Sequence, residues 1–161
     1  TKEFGPRVRL GKIFTDLPMA LNKPIHFGVK EFCEICQGCT LGCPVKAIPN
    51  GAPSTQTHNQ SNIKGIKKWT VDGEKCFGYW AAQNSDCSIC IRVCPYNKDY
   101  SKWWYRVGRW LAGTRLRRWM LNLDIKLGYG RRMQPKLWWE GERETLAYFM
   151  RNFLSALKLF R

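Results

Sequence analysis

This 161-residue sequence predicts an α+β fold organised around a cysteine-rich unit. Three observations carry that expectation. Eight cysteines fall between residues 33 and 94, turn-rich segments precede and divide them, and two stretches of helical period follow them. The length suits one domain with a modest core, or two small lobes. No apolar run approaches the ~18 residues needed to span a bilayer.

Residues 1–31 are short mixed segments broken by Gly5, Pro6, Gly11, Pro18 and Pro24. The chain opens on Thr1 and without an apolar signal segment, so the expectation is a fragment of something longer. Residues 32–48 hold the first cysteine run. Residues 49–65 are poor in large apolar groups and rich in Pro, Gly, Asn and Ser, which predicts a loop. Trp69, Thr70 and Val71 suit a short extended piece ending at an Asp72-Gly73 turn. The second cysteine run occupies 76–95. A helix is expected over about 101–121, with Trp103, Val107, Trp110 and Leu111 on one stripe. Another is expected over about 143–160 beyond the Gly128-Tyr129-Gly130 break, repeating Leu146, Phe149, Phe153 and Leu157. Both stripes are expected to face a core, since amphipathic stripes usually pack inward; a membrane-surface role is the competing expectation. The sequence thus divides into 1–31, 32–98 and 99–161.

The 27 Lys and Arg against 12 Asp and Glu leave a formal charge of +15. Residues 98–161 hold 15 basic and 5 acidic side chains, most of the excess. A basic segment suits an anionic partner or simply a solvated face, and charge alone does not choose between them.

The cysteines carry the chemistry. The first run reads Cys33-x2-Cys36-x2-Cys39-x3-Cys43-Pro44 and the second Cys76-x10-Cys87-x2-Cys90-x3-Cys94-Pro95. A Cys-x2-Cys-x2-Cys turn wraps one cubane, placing thiolates on three irons while backbone N–H groups point at the sulfurs. The fourth cysteine, followed by Pro, has left that turn and reaches the other cluster. This ferredoxin-like pattern predicts two [4Fe–4S] clusters. One takes Cys33, Cys36, Cys39 and Cys94, and the other takes Cys43, Cys76, Cys87 and Cys90. Ten residues rather than two separate Cys76 from Cys87, so Phe77 to Asp86 are expected to loop out beside the cluster. Four disulfides do not need the paired Cys-x2-Cys-x3-Cys-Pro endings, and structural zinc favours two Cys-x2-Cys knuckles per ion.

The flanks carry a resemblance. The run from Gly5 through Thr15-Asp16-Leu17-Pro18, then Lys23-Pro24, Phe32-Cys33, Lys68-Trp69, the wide Cys76-x10-Cys87 gap, Cys94-Pro95-Tyr96-Asn97-Lys98 and Leu127-Gly128-Tyr129-Gly130 ahead of Trp138-Trp139 resemble the C-terminal third of corrinoid-dependent reductive dehalogenases.

That resemblance implies a two-cluster unit embedded in the C-terminal part of a nitroreductase-like corrinoid-binding domain. Residues 1–31 would end that domain, and 99–161 would form a basic helical segment. It implies a base-off corrinoid whose cobalt receives electrons from the clusters and cleaves the carbon–halogen bond of an organohalide, such as a chlorinated alkene. The family's proton-donor tyrosine is expected upstream of this region. Its supporting basic residue corresponds to Arg9, with Arg7 the alternative. Ser54, Thr55, Gln56, His58 and Asn59 would contact the corrinoid, offering donors and acceptors suited to amides and phosphate, with His58 not a cobalt ligand. Tyr96 would line the space between cluster and macrocycle, together with Trp103 and Trp104. The implied partners are the organohalide, an electron donor and a small membrane anchor protein, with no nucleic acid and with a homodimer allowed. The implied location is the outer face of the cytoplasmic membrane, reached by twin-arginine export.

Two rivals stay open. An epoxyqueuosine reductase-like corrinoid enzyme acting on tRNA has a similar two-cluster unit, and the basic tail would suit a polyanion. A plain two-cluster ferredoxin would carry electrons without catalysis, although such carriers are usually acidic and lack long flanks.

Overall fold

The computed structural model describes residues 1–60 and 62–130. Six helices appear among them in chain order: α1 (Val29–Cys36), α2 (Gly38–Gly42), α3 (Gly73–Gln83), α4 (Ile89–Arg92), α5 (Trp103–Ala112) and α6 (Arg117–Leu127). The expected helix over 143–160 lies outside the described residues. Among the described residues the extended structure comes down to one isolated antiparallel bridge, Ser54 to Lys68, closed by two backbone hydrogen bonds of 3.0 and 2.9 Å. The fold is therefore mostly helical rather than α+β. The extended piece expected at 69–71 is reduced to the approach to that bridge, because no second strand lies beside it for a ladder.

α1 starts behind Gly28, whose φ of 78° is accessible to glycine at no steric cost, and it stops at Gln37, φ 49°. Between them Phe32, Ile35 and Cys36 recur at helical spacing and turn inward. Phe32, Tyr96, Ala112 and Leu121 form the core, with Phe27, Val29, Ile35, Cys36, Cys94 and Met120 packed around them. A core this small gains much of its cohesion from aromatic edges. Phe32 and Phe27 meet the Tyr96 ring at 5.3 and 6.1 Å between centroids, at interplanar angles of 89° and 73°.

Three helix pairs build the frame: α2 with α4, α5 with α6, and α1 with α6. The single helix expected over 101–121 is two. Gly113 ends α5, and the Thr114 hydroxyl closes the elbow by donating to the Leu111 carbonyl at 2.7 Å while accepting from the Leu116 N–H at 3.2 Å. The break has a packing cause, because the backbones of Gly28 and Gly113 touch: a Cβ on Gly28 would stand 2.4 Å from the Gly113 Cα.

The expected loop at Phe77–Asp86 is also different. Most of it belongs to α3, which Asp72 caps by accepting from the Lys75 N–H at 3.2 Å. Asp72-Gly73 is thus a helix start rather than a turn, and Asn84 in the left-handed region (φ 50°) ends the helix. The eight residues by which this gap exceeds the usual two are accommodated most cheaply as helix, since a helix satisfies its own backbone. Residues 49–60 and 62–65 do form the expected loop, and Gly128 (φ 71°) stops α6 at the expected break.

The amphipathic stripe of α5 does not face the core. Trp103, Val107 and Trp110 are exposed, as are Leu116 and Trp119 at the elbow and on α6. α5 instead spends its inner side on Ala112 and the α6 contact. Residues 7–26 have no helix or strand and lie exposed, including Leu10, Ile13, Phe14 and Leu21.

Candidate iron–sulfur site

The eight cysteines come from four places. Cys33 and Cys36 lie on α1, Cys39 on α2, and Cys43 just past its end. Cys76 lies on α3, Cys87 precedes α4, Cys90 sits in it, and Cys94 follows it. The α2–α4 contact brings the two runs together. All eight are free thiols, so the disulfide alternative is set aside.

The electrostatics sort the thiols. Cys33 is pushed up to about 12, by burial first and then by Cys94, Cys36 and Cys39. Cys94 is pushed up to about 11 by burial, opposed by the Tyr96 N–H and reinforced by Cys36, Cys39 and Asp124. Cys76 is raised by burial, then by Cys43 and Cys87. Burial again leads for Cys90, which also feels Cys87, Cys39 and Cys76. Cys33 and Cys94 thus feel thiols of the set predicted for them and Cys76 feels Cys43 and Cys87, while Cys90 feels Cys39 of the other set as well as Cys87 and Cys76.

Buried thiols with several thiol neighbours are expensive to ionise without a cation, and bound iron would supply the compensating charge. Backbone donors are already aimed at them. The Ala47 N–H donates to Cys43 Sγ at 3.3 Å, and the N–H groups of Gly38, Ile91 and Tyr96 lower the pKa of Cys36, Cys90 and Cys94. N–H donors to sulfur stabilise thiolate, as a cubane requires. One further group fits: the Tyr96 hydroxyl is buried without a hydrogen-bond partner, beside Cys33 and Cys94.

The other predicted residues are scattered. Ser54 makes the bridge to Lys68, and its hydroxyl accepts from the Gln56 N–H at 3.4 Å. Thr55 and Gln56 are exposed. A ring nitrogen of His58 lies 3.1 Å from the Thr70 carbonyl, and the N–H groups of His58 and Asn59 share Asn62 Oδ1 at 2.8 and 3.2 Å. His58 therefore ties its loop to the segment before α3. Tyr96 belongs to the core, while Trp103 and Trp104 stand exposed. Arg7 and Arg9 are both exposed, and Arg7 donates to the Lys98 carbonyl at 2.6 Å.

Sequence reasoning missed Gln37. Its side chain donates to the Gly51 carbonyl at 3.0 Å and accepts from the Gly51 N–H at 3.2 Å, pinning the 49–53 loop against the first cysteine turn. Trp69 reinforces this, donating to the same carbonyl at 2.7 Å. Nothing in the sequence marks a glutamine between two cysteines as a clamp. Lys98 and Asp124 were missed too, because the pair joins residues 26 apart in sequence and requires the α6 packing.

Residues 32–97 match the 4Fe-4S double cluster binding domain family, which together with the eight cysteines supports two [4Fe–4S] clusters. Most of the chain is similar to part of the reductive dehalogenases. It is 42% identical over 147 residues to the tetrachloroethene reductive dehalogenase of Sulfurospirillum multivorans, covering 90% of this chain and 29% of that protein. A solved reductive dehalogenase structure, described as suggesting a mechanism for B12-dependent dehalogenation, matches with a TM-score of 0.62 at 31% identity over 73% of this chain and 16% of that one. An epoxyqueuosine reductase of Atelocyanobacterium thalassa is 29% identical over 119 residues, covering 63% of this chain and 32% of that protein. The chain thus spans less than a third of the length of these curated relatives.

Proposed function

We propose that this chain is the electron-relay portion of a corrinoid-dependent reductive dehalogenase, with one [4Fe–4S] cluster on Cys33, Cys36, Cys39 and Cys94 and the other on Cys43, Cys76, Cys87 and Cys90. The observation that carries this reading is the pair of cysteine runs in a match to the 4Fe-4S double cluster binding domain, met in a chain similar to part of the reductive dehalogenases; the influence of Cys94 on Cys33 and of Cys43 on Cys76 supports the crossing. When bound, the corrinoid supplies cleavage of the carbon–halogen bond of an organohalide, a chlorinated alkene being the class suggested by the relative from Sulfurospirillum multivorans.

The chain's own part is to pass single electrons and to keep water from their path. The influence of Cys39 on Cys90 links the two thiol sets and suits passage of an electron from one cluster to the other. The loop bearing Ser54, Thr55, Gln56, His58 and Asn59, fixed by Gln37, Trp69 and the Ser54–Lys68 bridge, presents donors toward the corrinoid from a nitroreductase-like domain that residues 1–31 complete. Arg9, or Arg7, supports the proton donor of that domain. The exposed Trp103–Val107–Trp110 stripe beside Arg106 suits contact with a small anchor protein at the outer face of the cytoplasmic membrane, near the electron donor.

The test is anaerobic loading of the full-length protein with iron, sulfide and corrinoid, followed by a halide-release assay with a low-potential reductant. Halide release that is lost in Cys39→Ser is expected; a fully loaded protein that releases no halide from any organohalide tried overturns the reading. The similarity to epoxyqueuosine reductase favours a second reading, action on tRNA, which steeply salt-dependent tRNA binding would support.

A further inference from the structure

We propose that the Tyr96 hydroxyl donates a hydrogen bond to sulfur of the cluster held by Cys33, Cys36, Cys39 and Cys94, and that this bond raises the potential of that cluster alone. The inference rests on the ligand set proposed above and adds a residue to it.

The argument starts from an orphan. Tyrosine hydroxyls that are buried almost always find a partner, because an unpaired one loses its hydration for nothing. Tyr96 is 5% exposed, and its hydroxyl has no hydrogen-bond partner in the protein. Packing places it beside one thiol set: its ring meets Phe32, the residue before Cys33, at 5.3 Å between centroids, and Cys36 and Cys94 pack against the same core. After burial itself, Cys33 is the first influence on the hydroxyl, followed by Tyr100 and Cys94. Two of the three are thiols of the same set. Tyr100 is occupied elsewhere, since its hydroxyl donates to the Tyr96 carbonyl at 3.1 Å.

The ring cannot turn away. Phe32 and Phe27 brace it by edge contacts on the inside. The backbone at Tyr96 is held by the Tyr100 hydroxyl and by the turn at Gly5, where even a Cβ would stand 2.0 Å from the Tyr96 carbonyl oxygen. Meanwhile the Tyr96 N–H already serves Cys94, so the residue addresses the cluster from both ends. A fixed, desolvated O–H beside sulfur is a strong donor to it. Such a bond stabilises the more negative, reduced cluster more than the oxidised one. In the counterpart set, the influences on Cys76 and Cys90 from the described residues include no tyrosine.

The experiment is a redox titration of the loaded full-length protein, followed by electron paramagnetic resonance, on wild type and Tyr96→Phe. Iron and sulfide content, read first on wild type, tests the ligand set by itself. For the hydroxyl, Tyr96→Phe is expected to lower the reduced-to-oxidised ratio of one cluster roughly fivefold at fixed potential, about 40 mV for one electron, and to leave the other in place. Unchanged potentials, or equal shifts in both clusters, overturn the proposal. Both proteins exchanged into D2O provide the second reading. A deuteron strongly coupled to one reduced cluster of wild type and missing from Tyr96→Phe, by electron–nuclear double resonance, is expected; identical deuteron couplings in the two proteins also overturn the proposal.

Discussion

Lys98 Nζ lies 2.7 Å from Asp124 Oδ1 and 3.7 Å from the centroid of the Tyr129 ring, so the segment leaving the last cysteine is anchored on α6 and the turn behind it. Both side chains are almost wholly enclosed, 10% and 13% exposed. Burial drives Lys98 down and Asp124 up, each toward its neutral form, while the partner's charge opposes the shift. Desolvation outweighs attraction on both sides, which is the usual balance for a buried pair.

The pair therefore specifies position more than it stabilises. Asp124→Leu or Lys98→Met alone leaves a buried charge without its partner and is expected to destabilise the loaded protein by about 3–5 kcal/mol. The double variant Lys98→Met/Asp124→Leu is expected to return to within ~1 kcal/mol of wild type, since apolar groups can replace a buried pair nearly neutrally. Thermal unfolding of the four proteins, read as a double-mutant cycle, checks this. Additive losses would mean that the two groups do not share one energy.

Crosswise ligation makes a prediction about which cysteines act together. Cys94→Ala should perturb the same cluster spectrum as Cys33→Ala, although 61 residues separate them, while Cys43→Ala should perturb the cluster affected by Cys87→Ala. Each loss is expected to remove or convert one cluster, taking iron from about eight toward about four per chain. Iron analysis with electron paramagnetic resonance reads both quantities. Cys43 and Cys33 variants with the same altered spectrum would sink the crossing.

The cysteine pattern was legible because ligand spacing is a local geometric constraint: three thiols within seven residues must wrap one object. Gly128 ending α6 and the loop after Cys43 were legible for the same reason, being governed by residues next to one another. The Phe77–Asp86 helix was not. Its turn-like Asp72-Gly73 start doubles as an N-cap, and only the satisfied Lys75 N–H distinguishes the two. The elbow at Gly113 was hidden because it depends on the Gly28 backbone, 85 residues away. The outward α5 stripe was hidden as well. Periodicity states that a face is apolar, but what covers that face is a property of the assembled chain.

The Gly28–Gly113 approach can be tested by filling it. Gly28 combines a φ of +78° with a Cβ position 2.4 Å from the Gly113 Cα, so Gly28→Ala meets backbone strain and collision together. A loss of about 2–4 kcal/mol is expected, since neither side is a flexible side chain that could yield. Gly51→Ala supplies the control. Its φ of +88° is equally unfavourable, but nothing lies within 4 Å of the added carbon, so the loss should be about 1 kcal/mol. Thermal unfolding of the loaded proteins separates the strain from the collision.

Cys76 depends on Asp72 in a way that pH can expose. The Asp72 carbonyl accepts from the Cys76 N–H at 3.1 Å, and its carboxylate caps the first turn through the Lys75 N–H, so fraying that turn moves a proposed ligand. The Lys75 N–H, followed by the Lys75 ammonium 3.3 Å away, holds the carboxyl below its ordinary value of 3.8. A carboxylate with a depressed folded pKa contributes stability that is present above its unfolded value and lost as pH falls through the folded one. Asp72→Ala is accordingly expected to lower the unfolding temperature by a few degrees at neutral pH, and to release iron from one cluster faster when a chelator is added. As the pH falls below about 4, the difference in unfolding temperature between the variant and wild type should shrink, because wild type then loses by protonation the share of the cap that the charge supplies. Asp72→Asn, which keeps an oxygen for the Lys75 N–H and carries no charge, should retain most of the neutral-pH stability. A difference between Asp72→Ala and wild type that persists unchanged into acid would show that the carboxylate is not what holds α3, and with it Cys76, in place.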